Sequence, residues 1–122
     1  MIDHLGLKAS DYPAARAFYL KALAPLGIGL VMEVPGYDGI GLGKDGKPAF
    51  WISRGEPASG VHLAFSAATR GDVDAFHKAA LEAGAADNGA PGLRPHYHPN
   101  YYGAFVIDPN GVNLEAVCHQ PE

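Results

Sequence analysis

Cysteine is nearly absent: Cys118 is the only one in 122 residues, so no disulfide can form within the chain and nothing here demands an oxidising compartment. Basic charge is also sparse, with 9 Lys and Arg against 13 Asp and Glu and a formal net charge of −4. No basic run or stripe occurs, which argues against a nucleic-acid partner, because such binding rests on clustered Lys and Arg. No stretch reaches the roughly 20 apolar residues of a membrane helix. The start, Met1-Ile2-Asp3-His4, has neither the basic nor the apolar segment of a signal peptide. A soluble cytoplasmic protein with no membrane partner is the expectation.

Hydrophobic residues make up 48% and charged residues 18%, a globular composition for one domain spanning residues 1–122. Within it the same pattern occurs twice. Asp3-His4-Leu5 matches Val61-His62-Leu63 at a spacing of 58, and that offset also maps Ala17-Phe18 onto Ala75-Phe76 and Ala22-Leu23 onto Ala80-Leu81. A repeat sets the architecture before any local detail does. Module one covers about residues 1–55, the Gly- and Pro-containing stretch 55–60 reads as a linker, and module two covers about 60–120.

In the first module, residues 2–9 alternate as a strand, with Leu5 and Leu7 on one face and His4, Gly6 and Lys8 on the other. Ser10 or Asp11 can cap the next segment, where Ala15, Phe18, Tyr19, Ala22, Leu23 and Leu26 form a helical stripe. Three short strands over 28–34, 37–43 and 48–53 follow, and Asp45-Gly46 supplies a hairpin turn. The second module repeats the plan. Its strand holds Val61, Leu63 and Phe65 against His62, Ala64 and Ser66, and Thr69 opens a helix with a Val73, Phe76, Ala80 and Leu81 stripe. Residues 88–100 are the least legible, and strands over 101–107 and 112–119 flank the turn Asp108-Pro109-Asn110-Gly111. The fold expected is α+β, two βαβββ modules in tandem.

Alternation also sorts the chemistry. With Leu5, Leu63 and Leu114 packed on helices, His4, His62 and Glu115 all belong to the opposite faces, where they can converge in one trough. Two imidazoles and a carboxylate leave open positions on a divalent metal. An inward carboxylate needs a partner because an unpaired buried charge is costly, and Lys8 is the alternative to a cation. Taken singly, each histidine reads more readily as an ordinary polar strand residue than as a ligand; the repeat-related pair sharing a face with Glu115 evens that balance.

Ile2-Asp3-His4-Leu5-Gly6-Leu7, Ala17-Phe18-Tyr19, Gly60-Val61-His62-Leu63-Ala64-Phe65 and the run from Ala104 through Asp108-Pro109-Asn110-Gly111 to Glu115 resemble the vicinal oxygen chelate superfamily, the glyoxalase, bleomycin-resistance and extradiol-dioxygenase group. The resemblance implies metal ligands at His4, His62 and Glu115, a divalent ion (Fe, Mn, Zn or Ni), a homodimer and a small-molecule substrate. It implies chemistry of lyase, dioxygenase or thiol-transferase type, with a metal-free drug-binding protein as the alternative. Glyoxalase I and methylmalonyl-CoA epimerase carry a fourth ligand on the last strand of module one, where this chain has Phe50 or Trp51. Neither side chain binds metal or moves a proton, so Trp51 is expected to wall the substrate site or to belong to the core. In the Pro95–Pro99 segment His98, or neighbouring Tyr102 or Tyr101, is a candidate general acid–base group, unless the segment is simply a solvated loop. The trough can close within one chain or by exchange of modules between two.

Overall fold

The computed structural model describes residues 1–122. Its first module runs β1 (Leu5–Ala9), α1 (Tyr12–Leu23), a single 3-10 turn (Ala24–Leu26), β2 (Gly29–Glu33), β3 (Gly39–Lys44) and β4 (Lys47–Arg54). Its second runs β5 (His62–Ser66), α2 (Arg70–Glu82), β6 (Ala86–Leu93), β7 (Tyr102–Ile107) and β8 (Asn113–Cys118). Each module forms one four-stranded sheet, ordered β1-β4-β3-β2 and β5-β8-β7-β6. In both, the first strand runs parallel to the last, and the remaining pairs are antiparallel. This is the tandem βαβββ architecture that the repeat called for.

The helices start where side chains can serve their free N–H groups. The Asp11 carboxylate accepts from Ala14 N at 3.2 Å and Thr69 Oγ1 from Asp72 N at 3.0 Å. One core joins the modules. Phe18, Tyr19, Ala22 and Leu23 of α1, Val73, Phe76 and Ala80 of α2, and the inner residues of both sheets (Ile40, Leu42, Ile52, Val106, Leu114) form a single buried cluster. Leu81, expected in that stripe, is 37% exposed. The other face of each sheet therefore looks away from the shared core.

A polar contact pins the modules together inside that core. The Tyr19 hydroxyl of α1 donates to Asp108 Oδ2 in the β7–β8 turn. Asp108 Oδ1 holds the turn itself, accepting from Asn110 N at 2.8 Å and Val112 N at 2.9 Å. Burial first, and the adjacent Asp108 charge second, push the Tyr19 phenol far above its ordinary range, so it stays a donor.

β6 occupies part of the stretch whose sequence was least legible. Its residues, Ala86-Asp87-Asn88-Gly89-Ala90-Pro91-Gly92-Leu93, carry two register shifts against β7. An edge strand tolerates Pro91, since one side of its ladder is empty.

Tyr19→Phe removes the donor and leaves Asp108 Oδ2 buried without it. Urea unfolding should show a loss of about 1–3 kcal/mol. Because a raised folded-state value contributes stability that is lost as pH rises past the unfolded value near 10.0, the wild-type advantage should shrink above that pH.

Candidate metal centre

The open face of the second sheet presents a row of polar and aromatic side chains. His62 opens β5, and Glu115 lies on β8 opposite Ala64. Alternation along β8 sends Leu114 and Ala116 into the core and Glu115 to the other side. There the carboxylate is only 1% exposed, covered by its neighbours. Two groups serve it: His62 Nε2 lies 3.0 Å from Oε1, and the Tyr101 hydroxyl donates to Oε2. Gly103 of β7 leaves the space for that contact, because a Cβ there would meet Tyr101 Cε1 at 3.1 Å and Glu115 Oε2 at 3.3 Å. Burial, followed by the hydrogen bond to Glu115, raises the Tyr101 hydroxyl well above its ordinary range. It therefore remains protonated and donating through neutral pH.

The His62 ring stacks on Phe105 of β7 with centroids 6.1 Å apart. Together with Tyr97, Asn113, Tyr101 and Glu115 these rings line a recess of about 350 Å³.

His4 is elsewhere. It precedes β1 by one residue, pairs its Nδ1 with Asp3 Oδ1 at 2.7 Å, and lies on the first module's open face with Trp51, Gly6 and Lys47. No group of three His, Cys, Asp or Glu is assembled within one chain. The structure thus brings His62 and Glu115 together and leaves His4 apart, for a physical reason: the helices lie in the shared core, and each polar face points away from it. Lys8, the alternative partner for Glu115, instead donates to Ser53 Oγ at 2.9 Å in its own module.

Sheet register shows what stands in the first module where Glu115 stands in the second. Ala64 pairs with Glu115, and its repeat mate Gly6 pairs with Trp51. Trp51, not the buried Phe50, holds the open-face position. Its ring lies over Gly41, where a Cβ would come within 2.9 Å of it. β3 shows only glycine on that face (Gly39, Gly41, Gly43), while Ile40 and Leu42 fill the core. The first module offers an aromatic shelf, the second the polar donors.

Of the three candidate acid–base groups, Tyr102 is a correction. Its hydroxyl donates to Asp74 Oδ1 of α2 at 2.7 Å, and Arg70 lies 5.3 Å from its ring centre, so it faces the helix. Tyr101, one residue earlier, takes the open face. The signal was present in the sequence: Tyr102 shares strand parity with Ala104 and Val106, both core residues. His98 is exposed at the rim, accepting on Nδ1 from Asn100 N at 3.1 Å and packed edge-on against His119. It does not line the recess. A separate apolar cleft of about 500 Å³ opens between the modules, with Leu42 and Phe50 on one side and Leu63 and Phe65 on the other.

The donor set fits a divalent ion in part. An imidazole nitrogen and a carboxylate oxygen 3.0 Å apart suit two adjacent ligands with bonds of about 2.1 Å. Two donors are one short of a facial triad.

Tandem βαβββ sheets packed through their helices define a class of proteins built from paired modules. A sequence profile of the Glyoxalase/Bleomycin resistance protein/Dioxygenase superfamily matches residues 1–116, and the chain belongs to that superfamily. Among solved structures it is similar to a glyoxalase/bleomycin resistance protein from Albidiferax ferrireducens, at 26% identity and a TM-score of 0.82, covering 95% of this chain and 97% of that one. It is also similar to a putative glyoxalase from Bacillus halodurans, at 26% identity and a TM-score of 0.70 over 97% of this chain and 95% of that one. A glyoxalase I variant from Zea mays shares the fold at 24% identity and a TM-score of 0.69; 95% of this chain spans 46% of that one. No curated protein matches.

Tyr101→Phe leaves Glu115 Oε2 without its donor in a buried setting and should cost about 1–3 kcal/mol in urea unfolding. Gly41→Val forces the only tryptophan off its shelf, so its fluorescence emission should shift to longer wavelength.

Proposed function

We propose that this protein is a metal-dependent enzyme acting on a small oxygen-bearing molecule, with its centre completed between two copies of the chain. His62 and Glu115 of one chain would hold a divalent ion (Fe, Mn, Zn or Ni) together with His4 of the second. The observation that carries this reading is the buried Glu115 carboxylate lying 3.0 Å from His62 Nε2 on an outward sheet face. The working form is a cytoplasmic homodimer of single-domain chains.

A bound divalent ion supplies Lewis acidity for vicinal oxygens and stabilises negative charge developing on them. The residues set the rest. Tyr101 fixes the orientation of Glu115 through the bond to Oε2. Trp51 provides an apolar wall in place of a fourth ligand, so no proton is moved from that strand position. With the Tyr101 hydroxyl committed to Glu115, the remaining acid–base candidate is His98, whose Nδ1 is engaged by Asn100 N and whose Nε2 is left for a substrate proton. A base at the mouth rather than beside the ion favours a polarised electrophile or oxygen chemistry over the proton shuttling of glyoxalase I.

A metal-free binding protein is the second reading, favoured by one feature: the Tyr101 hydroxyl already donates to the Glu115 carboxylate, with His62 Nε2 3.0 Å away, without a cation.

Calorimetric titration of chelator-treated protein with Mn, Zn, Ni and Fe(II) separates the two. The enzyme reading expects stoichiometric uptake that falls in both His62→Ala and His4→Ala by more than the roughly 10–100-fold typical of losing an outer-shell partner. Mixing the two variants should restore binding in part, because heterodimers keep one intact centre. Full-strength binding by His4→Ala removes the shared centre, and no uptake by the wild type leaves the binding protein.

A further inference from the structure

Next to Phe105, one of the residues lining the recess beside Glu115, lies a cation that the metal chemistry does not use. Arg94 follows β6 directly, and its backbone N donates to Tyr101 O at 2.7 Å, so the two residues face each other across the hairpin neck. Both side chains lie on the open face. The Arg94 guanidinium is 5.5 Å from the centre of the Phe105 ring, the ring on which His62 also stacks. Two glycines make the bed for it. A Cβ at Gly89 would lie 3.3 Å from Arg94 Nη2, and a Cβ at Gly92 3.1 Å from Nη1. The guanidinium makes one hydrogen bond to protein, from Nη2 to Ala90 O at 2.8 Å. It belongs to no ion pair, whereas Arg16, Arg54 and Arg70 each have a carboxylate within 4.0 Å.

A guanidinium with five N–H donors, placed beside an aromatic ring of the recess with one acceptor used, has donors left for a ligand that extends past that ring. A single planar cation with no second positive group beside it matches a singly charged, planar carboxylate better than a phosphate dianion. We infer that Arg94 is the anchor for a carboxylate-bearing substrate, whose apolar body lies against Tyr97 and Phe105 and whose reacting oxygens are directed towards His62 and Glu115. The inference names the substrate class of the site proposed above and rests on that reading for the direction of the reacting end.

The anchor itself is testable on metal-free protein with benzoate and its neutral isostere benzamide, followed by NMR at the Arg94 Nε–H signal and the Phe105 ring. Arg94→Gln identifies that signal by its loss and serves as the binding variant; an unchanged amide spectrum and melting temperature establish that it folds. Benzoate should bind saturably and at least about tenfold more tightly than benzamide. Arg94→Gln should erase that preference, as expected for loss of a hydrogen bond to a charged group. Arg94→Lys should retain part of it. Equal binding of the two probes, an unaffected Arg94→Gln, or tighter binding of phenyl phosphate than of benzoate overturns the assignment. Repeating the series with metal-loaded protein separates this inference from the one beneath it. Failed metal uptake with benzoate preference intact sinks the metal centre alone, and uptake without preference sinks the carboxylate anchor alone.

Discussion

The packing of α1 and α2 into one buried cluster between the modules governs the rest of this molecule. Two sheets that each bury one face against helices can share a core only by placing those faces towards it. Large side chains on both helices (Phe18, Tyr19, Leu23 and Phe76) fill the junction. The Tyr19–Asp108 bond then fixes the first module's helix to the second module's last turn. At about 25 cal/mol per Å² of apolar surface, burial on this scale outweighs any single polar contact on the surface. The sheets' polar faces are consequently turned outward, and residues that the repeat makes equivalent are separated within a chain.

That separation explains a site with only two donors. His62 and Glu115 meet because β5 and β8 are neighbours in one sheet. His4 immediately precedes β1 of the other sheet, on the far side of the shared core. The absence of a third donor beside His62 and Glu115 is therefore a property of the topology within one chain.

The duplicated modules have diverged in chemistry while keeping their register. Where the second sheet has Ala64 beside Glu115, the first has Gly6 beside Trp51. The glycines of β3 make a smooth floor on which the indole lies, whereas Phe105, Tyr101 and Arg94 give the second sheet a charged and aromatic surface. Burying Glu115 costs free energy that the hydrogen bond from Tyr101 and the polar contact with His62 offset. A position that bears such a cost in one module and is apolar in its twin has been assigned a different task in each.

Much of this was legible in the sequence, because strand alternation and helical periodicity are local. They placed Leu114 and Ala116 inward and Glu115 outward, gave the helix stripes, and with the repeat defined the paired βαβββ fold. β6 was hidden because Gly89, Pro91 and Gly92 are poor strand formers, and the two glycines leave room for Arg94 and Phe105. Tyr101 and Tyr102 were separable by strand parity, since Tyr102 alternates in step with Ala104 and Val106, which are buried. Leu81 sits on the helix stripe yet reaches solvent, since periodicity gives a direction but not the extent of the surface packed against it. The sequence by itself determined which residues share a face of each element, since that depends on backbone geometry a few residues long. Only the tertiary structure decided which faces meet, because that depends on how two helices fill one core, and it put Glu115 with His62 while keeping His4 apart.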